Sequence, residues 1–402
     1  MSNYDGEIGL RIREEEFAAR RSQLAAELDG RGLAGGVLFD PFRILYYTGF
    51  AFVPTERPIA FVLATDGPSA LLVPRLEVDH ARAATAPGEV VSYEEYPGRQ
   101  HPMDVLCEVL DGLGLRGRAG ADMDGYPWIF GYRGPPVGGV TPIAGIIDDR
   151  MAVKSPAEIA LLRESARWAI FAHELLQRYT RQGLGEREVA ARASADATAA
   201  LLEEIGPSYR AHDPWVDGAL ATYRGQIGRG AAIPHSLTGS STFQAEDMLI
   251  SGASVPMWGY RAELERTLVV GQPTAEQRRL FDHMLSLQDV ALEAIRPGRR
   301  CMDVDLSVRD YYERHGLWDF WRHHSGHAVG LRYHEGPFLD VGDETVIMPG
   351  MVFAVEPGLY STDVGGVRHS DTVVVTDEGI EILTAYPRDL ESLTVPVVPD
   401  VL

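Results

Sequence analysis

Cysteine, lysine and long apolar runs are the scarce features of this chain. Its 402 residues include two cysteines, Cys107 and Cys301, far apart in sequence. That is too few for a disulfide framework and fits a reducing cytoplasm. No Cys-x-x-Cys pair and no mixed Cys/His spacing occurs, which excludes a structural zinc site of the usual kind. Lys154 is the single lysine, arginine carries the remaining positive charge, and the formal net charge is -21. A surface so acidic repels nucleic acid and anionic membranes. Uncharged apolar stretches of about 18 residues, the length a membrane helix needs, are absent. The opening MSNYDGEIGLRIREEE has no basic-then-apolar export pattern. The expectation is a cytoplasmic protein with no nucleic-acid or membrane partner.

What is present reads as two domains, for which the length is ample. Residues 12–30 place Phe17, Leu24, Ala25 and Leu28 on one helical stripe. The short apolar runs GGVLFD, ILYYTGF, IAFVLAT and SALLVP, broken by Gly, Pro and Asp, predict buried strands. Next comes SPAEIALLRES, where Ser155 can cap a helix, Pro156 suits its first turn and Glu158 can complete a capping box. The domain boundary is placed just before it, giving an α/β domain over residues 1–153 and an α+β domain over residues 154–402. The second domain is expected to hold a helical pair over 156–205, a hairpin over 247–270, helices over 274–296 and 303–315, and strands in HAVGLRYHE, MVFAVEPGLY and VRHSDTVVVT.

Polar groups interrupt these apolar patterns. In DMLISGASVPMWGYRAELERT, alternation along the returning strand puts Arg261, Glu263 and Glu265 on one face. That is either a solvated face or a site. His235 sits in the loop AAIPHSLTGSS, and His327 sits between small residues in HHSGHAVG, with His334 and Glu335 following. Glu356 lies inside the apolar MVFAVEPGLY, where a carboxylate is costly unless paired.

GHAVG, MVFAVEPGLY and GVRHSDTVVVTDEG resemble the closing motifs of the methionine aminopeptidase, prolidase and creatinase superfamily, and RMAVKSPAEIALLRESA resembles its domain junction. The resemblance implies an α/β N-terminal domain plus an α+β pita-bread C-terminal catalytic domain. Metallopeptidases of that superfamily hold two divalent ions with two aspartates, a histidine and two glutamates. Carried over, these positions are Gly252, Glu263, His327, Glu356 and Ser370. Gly252 offers no ligand and Ser370 a poor one, so no metal and no other cofactor is expected, with a single ion at Glu263, His327 and Glu356 left as the exception.

Metal-free creatinase is then the nearer resemblance. It implies a metal-independent C–N hydrolase, an amidinohydrolase, acting on a small zwitterion with a guanidinium or amidinium cation and a carboxylate. Glu265 and Glu356 would grip the cation, His235 would act as general acid and base, and His327 would position water. Arg57, in LYYTGFAFVPTERPIAFVL, would bind the substrate carboxylate across the interface of a homodimer. Arg332 is the candidate for a second such arginine, and Arg261 and Glu263 would complete the binding site. Ring opening of an ectoine-type cyclic amidine, a metal-dependent prolidase or aminopeptidase P-like peptidase, and a non-catalytic pita-bread binding protein are the alternatives.

Overall fold

A computed structural model of the protein describes residues 10–84, 87–127 and 131–397. Arg11–Met151 together with His212–Pro214 form one compact unit, and Ala152–Ala211 with residues 215–397 form the other.

The first unit is α/β. Its strands are β1 Gly35–Leu38, β2 Ala60–Ala64, β3 Ser69–Pro74, β4 Glu89–Tyr93, β5 Ala119–Ala121 and β6 Thr141–Pro142, in the order β4-β3-β2-β1-β5-β6. The central pairs are antiparallel and the outer ones parallel. Val37, Val62, Leu72, Leu106 and Leu110 are among the side chains that fill one core of this unit. Helix α1 spans Glu14–Gly30 and turns Phe17, Leu24 and Leu28 inward. Helix α2, Pro41–Thr48, starts where the Asp40 carboxylate accepts the N–H groups of Phe42 and Arg43 at 2.9 and 3.0 Å.

The second unit is α+β and opens as its local signals predict. The Ser155 hydroxyl accepts the Glu158 N–H at 3.2 Å, and the Glu158 carboxylate accepts the Ser155 N–H at 2.8 Å. This box starts α3, Pro156–Tyr179, which pairs with α4, Glu186–Ile205. Two further helices, α5 Ala275–Ala294 and α6 Cys301–Arg314, follow the hairpin. The main sheet contains β7 Leu220–Thr222, β8 Met248–Ser254, β9 Leu264–Val270, β10 Gly326–Ala328, β11 Glu335–Leu339 and β12 Val352–Val355. A separate ribbon is formed by β13 Gly358–Ser361 and β14 Gly365–Arg368, after which β15 Ser370–Val375 rejoins the sheet. The path is β11-β10-β12-β15-β9-β8-β7, with β16 Ile380–Ile382 on β15 and β17 Thr394–Val395 on β9.

This pita-bread half positions the site through register. Glu265 on β9 lies opposite Gly252 on β8 and Ser370 on β15, so the three share a face of the sheet. Arg266, the next residue, turns to the other face. There its guanidinium is fully buried and bonds Asp371 at 2.8 Å together with four backbone carbonyls. Among the described residues, no helix is long and apolar enough to cross a membrane.

Candidate functional site

His327 is placed by close backbone contacts. It sits mid-strand in β10, between β11 and β12. A Cβ at Gly326 would fall 2.1 Å from the Ala354 carbonyl oxygen, so only glycine lets the strands close here. Just upstream, the buried Asp305 of α6 accepts both the N–H and the hydroxyl of Ser325, at 3.0 and 2.6 Å. The Ser325 carbonyl in turn accepts the Glu356 N–H at 2.9 Å. The two residues are thereby locked side by side at adjacent strand ends.

Glu263, His327 and Glu356 offer ligand atoms that all lie within 4.8 Å of one another. His327 Nδ1 faces the Ala328 carbonyl at 3.1 Å, and a ring nitrogen against a carbonyl must carry the proton. That leaves Nε2 turned into the site. It is buried and lies 3.3 Å from Glu356 Oε1, an ion-pair distance. A buried imidazole nitrogen between two carboxylates is an environment that a divalent cation satisfies.

Charge at the site is shared unevenly. Burial lowers the affinity of His327 for its proton, but Glu356 and Glu263 outweigh it and raise the pKa to about 9. Loss of hydration, followed by the Glu356 and Glu265 carboxylates, pushes Glu263 up to about 7. Glu356 goes the other way. Burial opposes its ionisation, yet His327 and the Arg368 guanidinium hold it below the usual carboxylate range. The Ser370 hydroxyl donates to Glu263 at 2.7 Å and so serves the carboxylate.

Glu265 is already occupied. Arg368 grips it through Nε and Nη2 at 2.5 and 2.8 Å, and Arg224 adds a third bond at 3.0 Å. Arg368 Nε also lies 3.5 Å from Glu356 Oε2, while Nη1 donates to the Tyr360 hydroxyl at 3.0 Å. Tyr360 is bonded in turn to His323 at 2.7 Å. The cradle expected for a substrate guanidinium therefore holds one from the chain itself.

The other expected residues are more dispersed. His334 stacks on His327 with ring centroids 3.8 Å apart. Burial, and then the charges of His327 and His235, lower its pKa to about 4, although Glu356 pulls the other way. His235 is exposed on its loop. Arg261 precedes β9, and its guanidinium packs over the Tyr333 ring at 4.2 Å. The Arg332 N–H donates to Glu335, whose carboxylate also receives Lys154 at 3.0 Å in a buried ion pair. Arg57 belongs to the first unit, where Glu95 and Glu56 hold it. His369 turns away from the site to pack on Phe281 of α5. Arg368, Arg224, Tyr360 and His323 were not anticipated. Arg368 alone had a visible signal, since it lies two residues before Ser370 and shares its face in extended chain.

Metallopeptidase family M24 matches residues 160–377, and the creatinase/prolidase N-terminal domain matches residues 20–131. An uncharacterized peptidase of Staphylococcus aureus is 26% identical over 367 residues, covering 91% of this chain and 99% of that protein. Among solved structures, dipeptidase PepE from Mycobacterium ulcerans superposes with a TM-score of 0.80 at 25% identity, over 96% of this chain and 100% of that one. The Xaa-Pro dipeptidase from Bacillus anthracis gives 0.76 at 23% identity, over 93% and 99%.

These relatives are peptidases by name, and they overturn the expected metal-independent amidinohydrolase. The geometry supplies the physical reason. Glu265 is bonded by Arg368 and Arg224, so Glu265 and Glu356 together present no open fork to a substrate guanidinium. A paired-ion centre does not fit either, because Gly252 contributes no ligand and Ser370 is engaged with Glu263. A single ion at Glu263, His327 and Glu356 does fit.

Proposed function

We propose, from the premise that this chain belongs to metallopeptidase family M24, that it hydrolyses the peptide bond of small peptides, of dipeptide size, with one divalent ion at Glu263, His327 and Glu356. The observation that carries this is the convergence of His327 with the Glu263 and Glu356 carboxylates, whose ligand atoms lie within 4.8 Å of one another. When bound, the ion would supply Lewis-acid polarisation of the scissile carbonyl. The protein's own groups do the rest.

His327 is fixed by its Nδ1–H bond to the Ala328 carbonyl, so its free nitrogen keeps one direction. His334, neutral at pH 7, offers a lone pair above it to orient the attacking water. His235 takes the proton from that water as the C–O bond forms and returns it to the amine nitrogen as C–N breaks. Arg332, and Arg57 from a second copy in a homodimer, are the candidates for the peptide's terminal carboxylate.

The test is release of amino acids from a dipeptide panel, Xaa-Pro members included, by protein stripped with chelator and reloaded with Mn²⁺, Co²⁺ or Zn²⁺. Hydrolysis is expected only after reloading. His235→Ala is expected to fold and lose about 100-fold in kcat. No hydrolysis with any ion, or full activity in the stripped protein, would overturn the reading.

A further inference from the structure

We propose that Glu186 is a positioning residue for His235: its buried carboxylate fastens both ends of the loop that carries the histidine, and so fixes where the proton is taken up and returned. The inference rests on His235 as the acid and base of the reading above and concerns what holds it.

A group that moves protons must keep its place to within about 0.5 Å. His235 is nevertheless exposed, in a loop whose regular structure is limited to the short 3-10 turn Gly228–Ala232. Its order has to come from a neighbouring element.

Glu186 opens α4 and is 1% exposed. One of its carboxylate oxygens accepts the Gly225 N–H at 2.8 Å, ahead of His235 in the chain, and the other accepts the Gly239 N–H at 2.7 Å, beyond it. A buried carboxylate is costly unless its oxygens are satisfied, and here both are spent on the loop. The clamp has a fixed base. The Gly183 N–H donates to the Phe243 carbonyl at 2.8 Å, the Phe243 N–H to the Leu184 carbonyl at 3.0 Å, and the Glu186 N–H to the Ser241 carbonyl at 3.1 Å. At the other end, Gly225 has a φ of +72°, and a Cβ there would fall 2.1 Å from the Leu237 carbonyl oxygen. Glycine is what lets the loop fold back so closely.

A second tie links the loop to the acids of the sheet. Gln226, also 1% exposed, accepts Arg224 Nη2 at its Oε1 at 3.3 Å, which turns its Nε2 to the Pro234 carbonyl at 3.1 Å. That carbonyl belongs to the peptide bond entering His235. Arg224 Nη2 also bonds Glu265 at 3.0 Å, so the histidine is referenced to β9 through two side chains. Among the described residues, the hydrogen bonds of the Glu186 carboxylate go to the loop and not to Glu263, His327 or Glu356.

The test is a double-mutant cycle in metal-loaded protein, with the dipeptide it hydrolyses fastest. Glu186→Gln sets an amide NH₂ against one of the two loop N–H groups. It is expected to lower kcat about tenfold and leave KM within about twofold, since misplacement of a reacting group acts on turnover. Co²⁺ affinity by equilibrium dialysis should stay unchanged, and amide exchange over residues 225–239 should accelerate. Combined with His235→Ala, Glu186→Gln should add less than about twofold to the loss, because a residue acting only through His235 then has nothing to position. A general structural role would instead multiply the two losses. Should Glu186→Gln fail to fold, Gln226→Met, which frees the Pro234 carbonyl, is expected to give the same pattern. Multiplied losses, or wild-type kcat in both Glu186→Gln and Gln226→Met, would overturn the positioning role and leave His235 its own. Full activity in His235→Ala, or no hydrolysis by wild type, would instead overturn the parent reading, and this inference with it.

Discussion

The crowded carboxylates give the metal-stripped protein a pH-dependent stability whose sign is fixed by the geometry. Glu263 is raised from 4.5 to about 7 and His327 from 6.5 to about 9. In both cases the folded protein holds the proton more tightly than the unfolded chain does. The stabilisation is therefore complete below each unfolded value and lost as pH rises through each folded value. For Glu263 the window is pH 4.5 to about 7, and for His327 it is pH 6.5 to about 9. Glu356 is shifted downward and is ionised in both states across this range, so it adds no slope.

Each shift corresponds to about 3 kcal/mol. Glu263 and His327 titrate against each other, so the two shifts are counted once. Stripped wild type should lose about 3 kcal/mol between pH 5 and 9, a fall in Tm on the order of 5–10 °C for a unit of this size. Glu263→Gln removes the buried acid and weakens the pull on His327, so its profile should be flatter and cross that of wild type, leaving the variant the more stable at pH 9. Scanning fluorimetry of both proteins in chelator, over this range, reads the effect. Added Mn²⁺ should then stabilise wild type more at pH 9 than at pH 6, since bound metal takes the place of those protons. Parallel profiles for wild type and Glu263→Gln would refute the reasoning.

Two further outcomes follow from buried ion pairs. Lys154→Met leaves the buried Glu335 without its cation and should cost about 3–5 kcal/mol, read by urea unfolding, with Glu335→Gln in the same chain recovering part of it. Arg266→Lys cannot reach Asp371 and four carbonyls at once. A loss of about 3 kcal/mol or more is expected in the same assay.

How much of this was legible beforehand differs from element to element. Ser155, Pro156 and Glu158 announce the start of α3 because capping is a contact among residues three apart. The β8–β9 hairpin and the α5 and α6 helices show in apolar periodicity for the same local reason. Glu356 and His327 stood out as polar groups among apolar or very small neighbours, and they do meet. The fate of Glu265 could not be read in this way. Its partners Arg224 and Arg368 lie 41 and 103 residues away in sequence, and nothing local to any of the three links them.

By itself, then, the sequence determined the two-unit architecture, the pita-bread half and the presence of several acids and imidazoles where apolar residues would otherwise run. Only the tertiary structure decided which cation those acids hold. Pairing across β8, β9 and β15 sets three residues in one row, and the neighbouring ribbon strand β14 delivers Arg368 to it. Electrostatic occupancy depends on distance in space, and a buried charge takes the partner that the folded strands bring within reach.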